Sequence, residues 1–192
     1  MEKDRIEIRW HGRAGQGVVT AAATLADVIS MEQDLYVQAF PEFGAEKRGA
    51  PILAFNRISK KPIRTHSQVY NPDIVVVTDP SLLGAVDIAS GAKNDAIFLM
   101  NTTFELSKVR ERLSLGDRKI YALDAYAIAE AELGRAIPNV PMVSALIKVT
   151  GLMDPEVFKK NLRVSLSKKL RDEVVDKNMR TVERSFEEVK EG

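Results

Sequence analysis

Gly12, Arg13, Gly15, Gln16 and Gly17 fall in one short stretch between an alternating apolar segment and an alanine-rich one. Glycines there let the backbone turn sharply, and the first N–H groups of the following helix have no intrahelical acceptor. Such a turn can receive a phosphate, which helix N-termini favour. Arg13 can add a charge-assisted hydrogen bond. The spacing is G-x-x-G-x-G, which is neither the dinucleotide G-x-G-x-x-G nor a P-loop ending in Lys-Ser/Thr. The same glycines also suit a crossover that only avoids a clash, and at this point both readings stand.

A second group follows in Glu42, Phe43, Glu46, Lys47 and Arg48, where two carboxylates and two cations fall within seven residues near Gly44 and Gly49. A solvated loop is the plain reading. The alternative is a recognition loop, with Glu46 or Arg48 in ion pairs with a partner and Phe43 as an apolar anchor. A third group sits where strands should end: the glycine turn, Phe40-Pro41, Thr78-Asp79-Pro80, Asn101-Thr102-Thr103 and Asp124. In an open α/β sheet these tips line one crevice, although each polar residue alone suits a helix cap. His11 and His66 are isolated and have no partner at metal-ligand spacing, so no metal site is expected. No nucleophile elbow is present.

The elements that would position these groups alternate along the chain. Ile6 to Trp10 reads as a strand and Val18 to Met31 as a buried helix with Ala21-Ala22-Ala23 in its middle. Strands follow at Leu35–Phe40, Ile52–Ile58, Asp73–Thr78, Ala96–Met100 and Lys119–Leu123, several of them continuously apolar, as strands covered on both faces are. Thr102-Thr103-Phe104-Glu105 has the form of a capping box before a helix over Glu105–Leu113. Helices are also expected over Ala125–Leu133, Met142–Val149 and Glu156–Leu162, the last after Asp154-Pro155. Val175, Met179, Val182, Phe186 and Val189 form a narrow apolar stripe on a C-terminal helix spanning Lys168–Lys190. The fold class is therefore α/β: a mainly parallel sheet flanked by helices, a glycine turn after the first strand and a C-terminal helical extension. One domain of residues 1–192 is expected, with an α/β body over about 1–150 and a helical tail over 151–192.

The chain has 192 residues, 45 % of them hydrophobic, enough for a sizeable core. A net charge of +1, few aromatics and basic residues scattered along the chain give no nucleic-acid platform. The absence of cysteine excludes disulfides, thiolate-held iron–sulfur clusters and a cysteine nucleophile within the chain. No apolar run is long enough to span a membrane, and the charged start lacks the core of a signal peptide, so a cytoplasmic protein is expected.

Ile8-Arg9-Trp10-His11-Gly12-Arg13-Ala14-Gly15-Gln16-Gly17-Val18 resembles the opening motif of gamma subunits of 2-oxoacid:ferredoxin oxidoreductases. Phe40-Pro41-Glu42-Phe43-Gly44-Ala45-Glu46-Lys47-Arg48-Gly49-Ala50-Pro51 resembles their second motif, in the form of the pyruvate and branched-chain members. Shorter matches lie at Asn101-Thr102-Thr103 and at Ile137-Pro138-Asn139-Val140-Pro141-Met142, so the resemblance covers about residues 5–165 and leaves the C-terminal helix largely outside. It implies an inactive gamma chain that works with alpha, beta and delta subunits. In such an assembly thiamine diphosphate and Mg²⁺ lie between alpha and beta, and the clusters in beta and delta pass electrons to ferredoxin. The acetyl unit from pyruvate goes to coenzyme A. The thiamine cofactor carries the decarboxylation, and the gamma chain supplies scaffold and part of the coenzyme A route. Gly12, Arg13, Gly15, Gln16 and Gly17 are then a candidate site for coenzyme A phosphates. Glu42, Phe43, Glu46, Lys47 and Arg48 are a candidate partner interface. The alternatives are a branched-chain enzyme's subunit, a free-standing nucleotide-binding protein, or a scaffold without catalytic role.

Overall fold

The computed structural model describes residues 4–42 and 47–192. Strand β1 (Arg5–Arg13) alternates apolar and polar residues, and both kinds are covered. Ile8 and Trp10 face a helical layer, while Arg9 and His11, only 6 % and 4 % exposed, face the opposite side of the sheet. The seven strands run in the order β2-β3-β1-β4-β5-β6-β7. β1, β4 (Ile74–Val77), β5 (Ile97–Asn101) and β6 (Ile120–Leu123) pair in parallel and form the centre. The edges are antiparallel. β2 (Tyr36–Pro41) pairs with β3 (Pro51–Ser59), β3 with β1, and β7 (Lys190–Glu191) with β6.

Helices α1 (Val18–Ile29), α3 (Ala125–Leu133), α4 (Asn139–Thr150), α5 (Pro155–Ser167) and α6 (Asp172–Glu188) contribute to one core on the first face. α4 is buried without a break from Val140 to Ile147, the state expected of a helix that is apolar on all sides. It starts earlier than the sequence suggests because Pro141 is tolerated in a first turn. A smaller core on the other face packs Val75, Val77, Phe98, Met100 and Ile120 under Leu82, Leu83, Ile88 and Val109. Among the described residues only α2 (Leu106–Arg112) and the 3-10 turn Pro80–Leu82 are helical there. No described helix is long and apolar enough to cross a membrane.

Two local expectations need correction. The capping box before α2 does not form: no side chain caps that helix, and Thr102 Oγ1 instead accepts from Phe104 N at 3.1 Å, closing its own turn. The C-terminal helix is also not continuous over Lys168–Lys190. It starts at Asp172 after a corner, packs on α3 and α4, and gives way at Val189 to β7. Gly192 N then donates to Ile120 O at 3.0 Å, so the end of the chain is fixed by a strand distant in sequence. At Asp154 the expectation holds. Its carboxylate accepts from Glu156 N and Val157 N, and Pro155 opens α5.

Asn56 ties the first face together. Its Oδ1 accepts from Trp10 Nε1 at 2.8 Å and its Nδ2 donates to Ala22 O at 2.9 Å, linking β3, β1 and α1. Asn56→Ala leaves the buried Trp10 Nε1–H without its acceptor and removes the tie to the Ala22 carbonyl, which keeps its bond within α1. It should lower unfolding stability by at least about 2 kcal/mol in denaturant titration; a loss near zero would show that neither bond matters.

Candidate functional site

The chain leaves β1 toward one side of the sheet to form β2 and β3, then returns to form β4 on the other side of β1. The ends of β1 and β4 thus flank the point where the strand order switches, the usual ligand position in such sheets. Gly12 is needed there for close approach. A Cβ at that position would lie 2.6 Å from Thr78 Oγ1 and 2.8 Å from Val18 Cβ. Gly17 opens α1 with a left-handed φ of 83°, and a Cβ would meet the Asn139 amide at 2.5 Å. Among the described residues no side chain caps α1, which leaves its first N–H groups for a ligand or water.

Arg13 spans the switch point. Its Nε donates to Ser81 Oγ at 2.8 Å, its Nη1 donates to Gly49 O at 2.9 Å, and the guanidinium lies 3.5 Å from Asp79 Oδ2. Asp79 also accepts from Ser81 N. Asn101 binds the next tips together, donating to Thr78 O and accepting from Ala125 N, each at 2.9 Å. Asp124 caps α3 through Ala127 N. The expected tips therefore meet, with one exception: β3 separates the Phe40-Pro41 end of β2 from β1. That arrangement also disfavours a dinucleotide site, which needs an acidic residue on a second strand next to the first.

The two motif loops are joined, which their separation in sequence conceals. Ala14 N donates to Ala50 O at 2.9 Å and Gly49 N donates to Ala14 O at 3.0 Å. Arg48 lies over Gly15, with Cγ 3.8 Å from where a Cβ would stand. Lys47 and Arg48 are exposed, and Glu42 accepts from Gln68 Nε2 at 3.2 Å. Phe43 and Glu46 lie outside the described residues. Two residues not singled out individually also belong to the cluster. Asn139 packs on Gly17; its signal was the short motif around it. Tyr126 lies in the first turn of α3, and its hydroxyl is pushed up to about 12, first by burial and then by the charge of Asp79, with Arg13 opposing. Gln16 Oε1 and Asn139 Oδ1 are buried atoms with no hydrogen-bond partner among the described residues. An amide can present either end, so both side chains can meet a donor or an acceptor.

Larger cavities lie elsewhere. One of about 700 Å³ sits at the opposite ends of the strands, beside Asp73, Asp95 and Asp117. Another, of about 410 Å³ between α1 and α6, reaches the tip cluster only through Asn139. Among the described residues no group of three or more His, Cys, Asp or Glu is placed to hold a metal ion.

Residues 7–188 match the model of the family described as pyruvate ferredoxin/flavodoxin oxidoreductase. The chain belongs to that family. It is 47 % identical over 188 residues to pyruvate synthase subunit PorC of Thermotoga maritima, with 98 % of this chain and 96 % of that protein covered. It is 44 % identical over 182 residues to the pyruvate/ketoisovalerate oxidoreductases common subunit gamma of Pyrococcus furiosus, covering 95 % and 96 %. The crystal structure of pyruvate oxidoreductase subunit PORC from Thermotoga maritima matches with a TM-score of 0.84 at 44 % identity, covering 99 % of both chains. The family match extends beyond the two motifs to residue 188, so α6 belongs to the shared architecture rather than lying outside it.

Within this oxidoreductase family member, His11 sits directly before the glycine turn and is held neutral. Burial, and then the charge of Arg9, push its imidazole down to about 3, while Nε2 accepts from Arg9 Nε at 3.1 Å. Above pH 6.5 neither folded nor unfolded chain binds the proton. As pH falls from about 6.5 toward 3 the unfolded chain takes it up first, so stability is lost across that window. His11→Gln should flatten the loss between about pH 6.5 and 4 relative to wild type, measured as denaturant midpoints. Parallel curves would show that His11 titrates normally.

Proposed function

We propose that this chain works in the cytoplasm as the gamma subunit of a pyruvate:ferredoxin oxidoreductase, and that it supports rather than performs the chemistry. The observation that carries this reading is the 47 % identity to a pyruvate synthase subunit along 98 % of the chain. With no cysteine the chain has no thiolate for an iron–sulfur cluster, and its described residues offer no metal-ligand group. In this reading, as the family resemblance implies, thiamine diphosphate, Mg²⁺ and the clusters belong to alpha, beta and delta partners, and ferredoxin meets the assembly there. The Pyrococcus furiosus relative is named as a subunit common to pyruvate and ketoisovalerate oxidoreductases. That name favours a second reading in which the same gamma chain also serves a branched-chain enzyme, the 2-oxoacid being chosen by other subunits.

The tip cluster is the proposed contact for coenzyme A. Its phosphates need donors, and Arg13, the open N–H groups of α1 and the amides of Gln16 and Asn139 converge near one turn. Asp79 offsets part of the Arg13 charge at 3.5 Å, so the net gain is smaller than for a free arginine. Arg13→Ala in the assembled enzyme should raise the apparent KM for coenzyme A about tenfold, or about 1.4 kcal/mol, and leave that for pyruvate unchanged. Equal effects on both substrates, or none, would mean that the turn only packs α1 against the sheet. The isolated chain should be colourless and should not reduce ferredoxin with pyruvate; visible cluster absorbance would end this reading. Glu42 to Arg48 is the proposed partner contact. Arg48→Ala should weaken association with the other subunits while the melting temperature of the isolated chain holds, and unchanged association would leave the loop merely solvated.

A further inference from the structure

The basic residues are less scattered than their spacing suggests. From Lys47 to Pro72 the chain has six Lys and Arg and no Asp or Glu, so with a net charge of +1 the rest of the molecule is net negative. One of the six, Arg57, is buried at 1 % exposure. The others, and His66, are exposed.

The segment after β3 has no helix or strand, yet it is firmly held against the sheet. Arg57 Nη2 donates to Ser67 O at 2.5 Å and to Gln68 O at 3.0 Å, and its Nε donates to Glu7 Oε1 at 2.8 Å. Arg5 Nη1 donates to Thr65 Oγ1 at 3.4 Å, and Val69 is buried. Gln68 then reaches Glu42 at the base of the other basic loop. The backbone of this strap is thus pinned inward, while Lys60, Arg64, His66 and Tyr70 are exposed. Lys60, Arg64 and His66 form no side-chain hydrogen bond or ion pair among the described residues. Tyr70 is 65 % exposed, and tyrosine and arginine are both enriched in protein contacts.

We propose that the strap of residues 60–70 is a docking face for an acidic surface of another subunit of the oxidoreductase. This rests on the reading of the chain as a subunit. The charge pattern favours a protein over nucleic acid. A polyanion that ran past the strap would meet the net-negative remainder of the chain, whereas a partner's local acidic patch would not.

The test uses the enzyme reassembled from this chain and its partner subunits, comparing wild type with the double variant Lys60→Glu, Arg64→Glu. The variant should raise the Kd for the remaining subunits about tenfold or more at about 0.1 M NaCl. The gap should close near 1 M, where the Debye length is about 3 Å. Circular dichroism and melting temperature should stay near wild-type values because both side chains are exposed and Lys60 meets only the charge of the exposed Asp4. Lys60→Gln, Arg64→Gln should fall between. An unchanged Kd across this salt range overturns the docking face but leaves the subunit reading intact. If the wild-type chain does not associate with those subunits, the subunit reading fails and the docking face falls with it. Salt-sensitive binding of a single-stranded oligonucleotide that the double variant abolishes, with assembly unaffected, would overturn the proposal in favour of nucleic acid.

Discussion

Two guanidinium groups lie inside the loop-covered face of the sheet, and each holds a connection that carries little regular structure. Arg57 on β3 donates to the carbonyls of Ser67 and Gln68. Arg9 on β1 donates to the carbonyls of Ile88 and Ser90, at 3.0 and 2.6 Å. A buried arginine cannot shed its charge, so its donors must all find acceptors, and backbone carbonyls in a loop have no other partner. Each side therefore satisfies the other. Glu7 supplies the counter-charge for Arg57, while Arg9 has the charge of Asp87 at longer range. Burial pulls the Arg9 guanidinium below its ordinary value. His11, packed against it, stays neutral because burial, and then the charge of Arg9, disfavour a second cation there.

This explains why the two faces differ so much. On the first, helices meet the sheet through apolar side chains, and area removed from water stabilises the contact. On the second, over β1, β3 and β2, loops meet the sheet through polar groups, and their own side chains are left free to point outward. Helices would have turned one side inward and covered the same ground with their own hydrophobic residues. A pinned loop can expose Arg64, His66 and Tyr70 together without surrendering order. That part of the second face combines a held backbone with exposed side chains, as the proposed docking face requires, while the rest of the same face carries its own apolar core.

Much of this was legible in the sequence where the determinants are local. The alternation of Ile6, Ile8 and Trp10 marks β1, Asp124 and Leu133 bracket α3, and Asp154-Pro155 starts α5. What escaped was non-local. β7 forms because Lys190 and Glu191 lie beside Ala122 and Tyr121 of β6, with Gly192 N continuing the ladder to Ile120 O. Thr102 serves a neighbouring N–H instead of a distant helix turn, a choice between two bonds of similar worth. The placement of β3 between β2 and β1 separates Phe40-Pro41 from the other tips, and no property of those two residues forecasts it. At the site, glycine spacing located the turn, but the reason for Gly12 and Gly17 appears only when Thr78, Val18 and Asn139 come within reach.

The bonds between the glycine turn and the stem of the second loop tie together two regions with different proposed tasks. Ala14 exchanges hydrogen bonds with Gly49 and Ala50, and Arg13 holds Gly49 O while facing Asp79. A shift of the stem as small as the reach of a hydrogen bond would change where Arg13 points. An anion that drew Arg13 away from Gly49 would loosen the stem in turn. Such an influence runs equally in both directions, because the binding free energies of two linked sites share one coupling term. The same bonds join the proposed partner contact to the turn proposed for a substrate's phosphates, so occupation of either would be felt at the other.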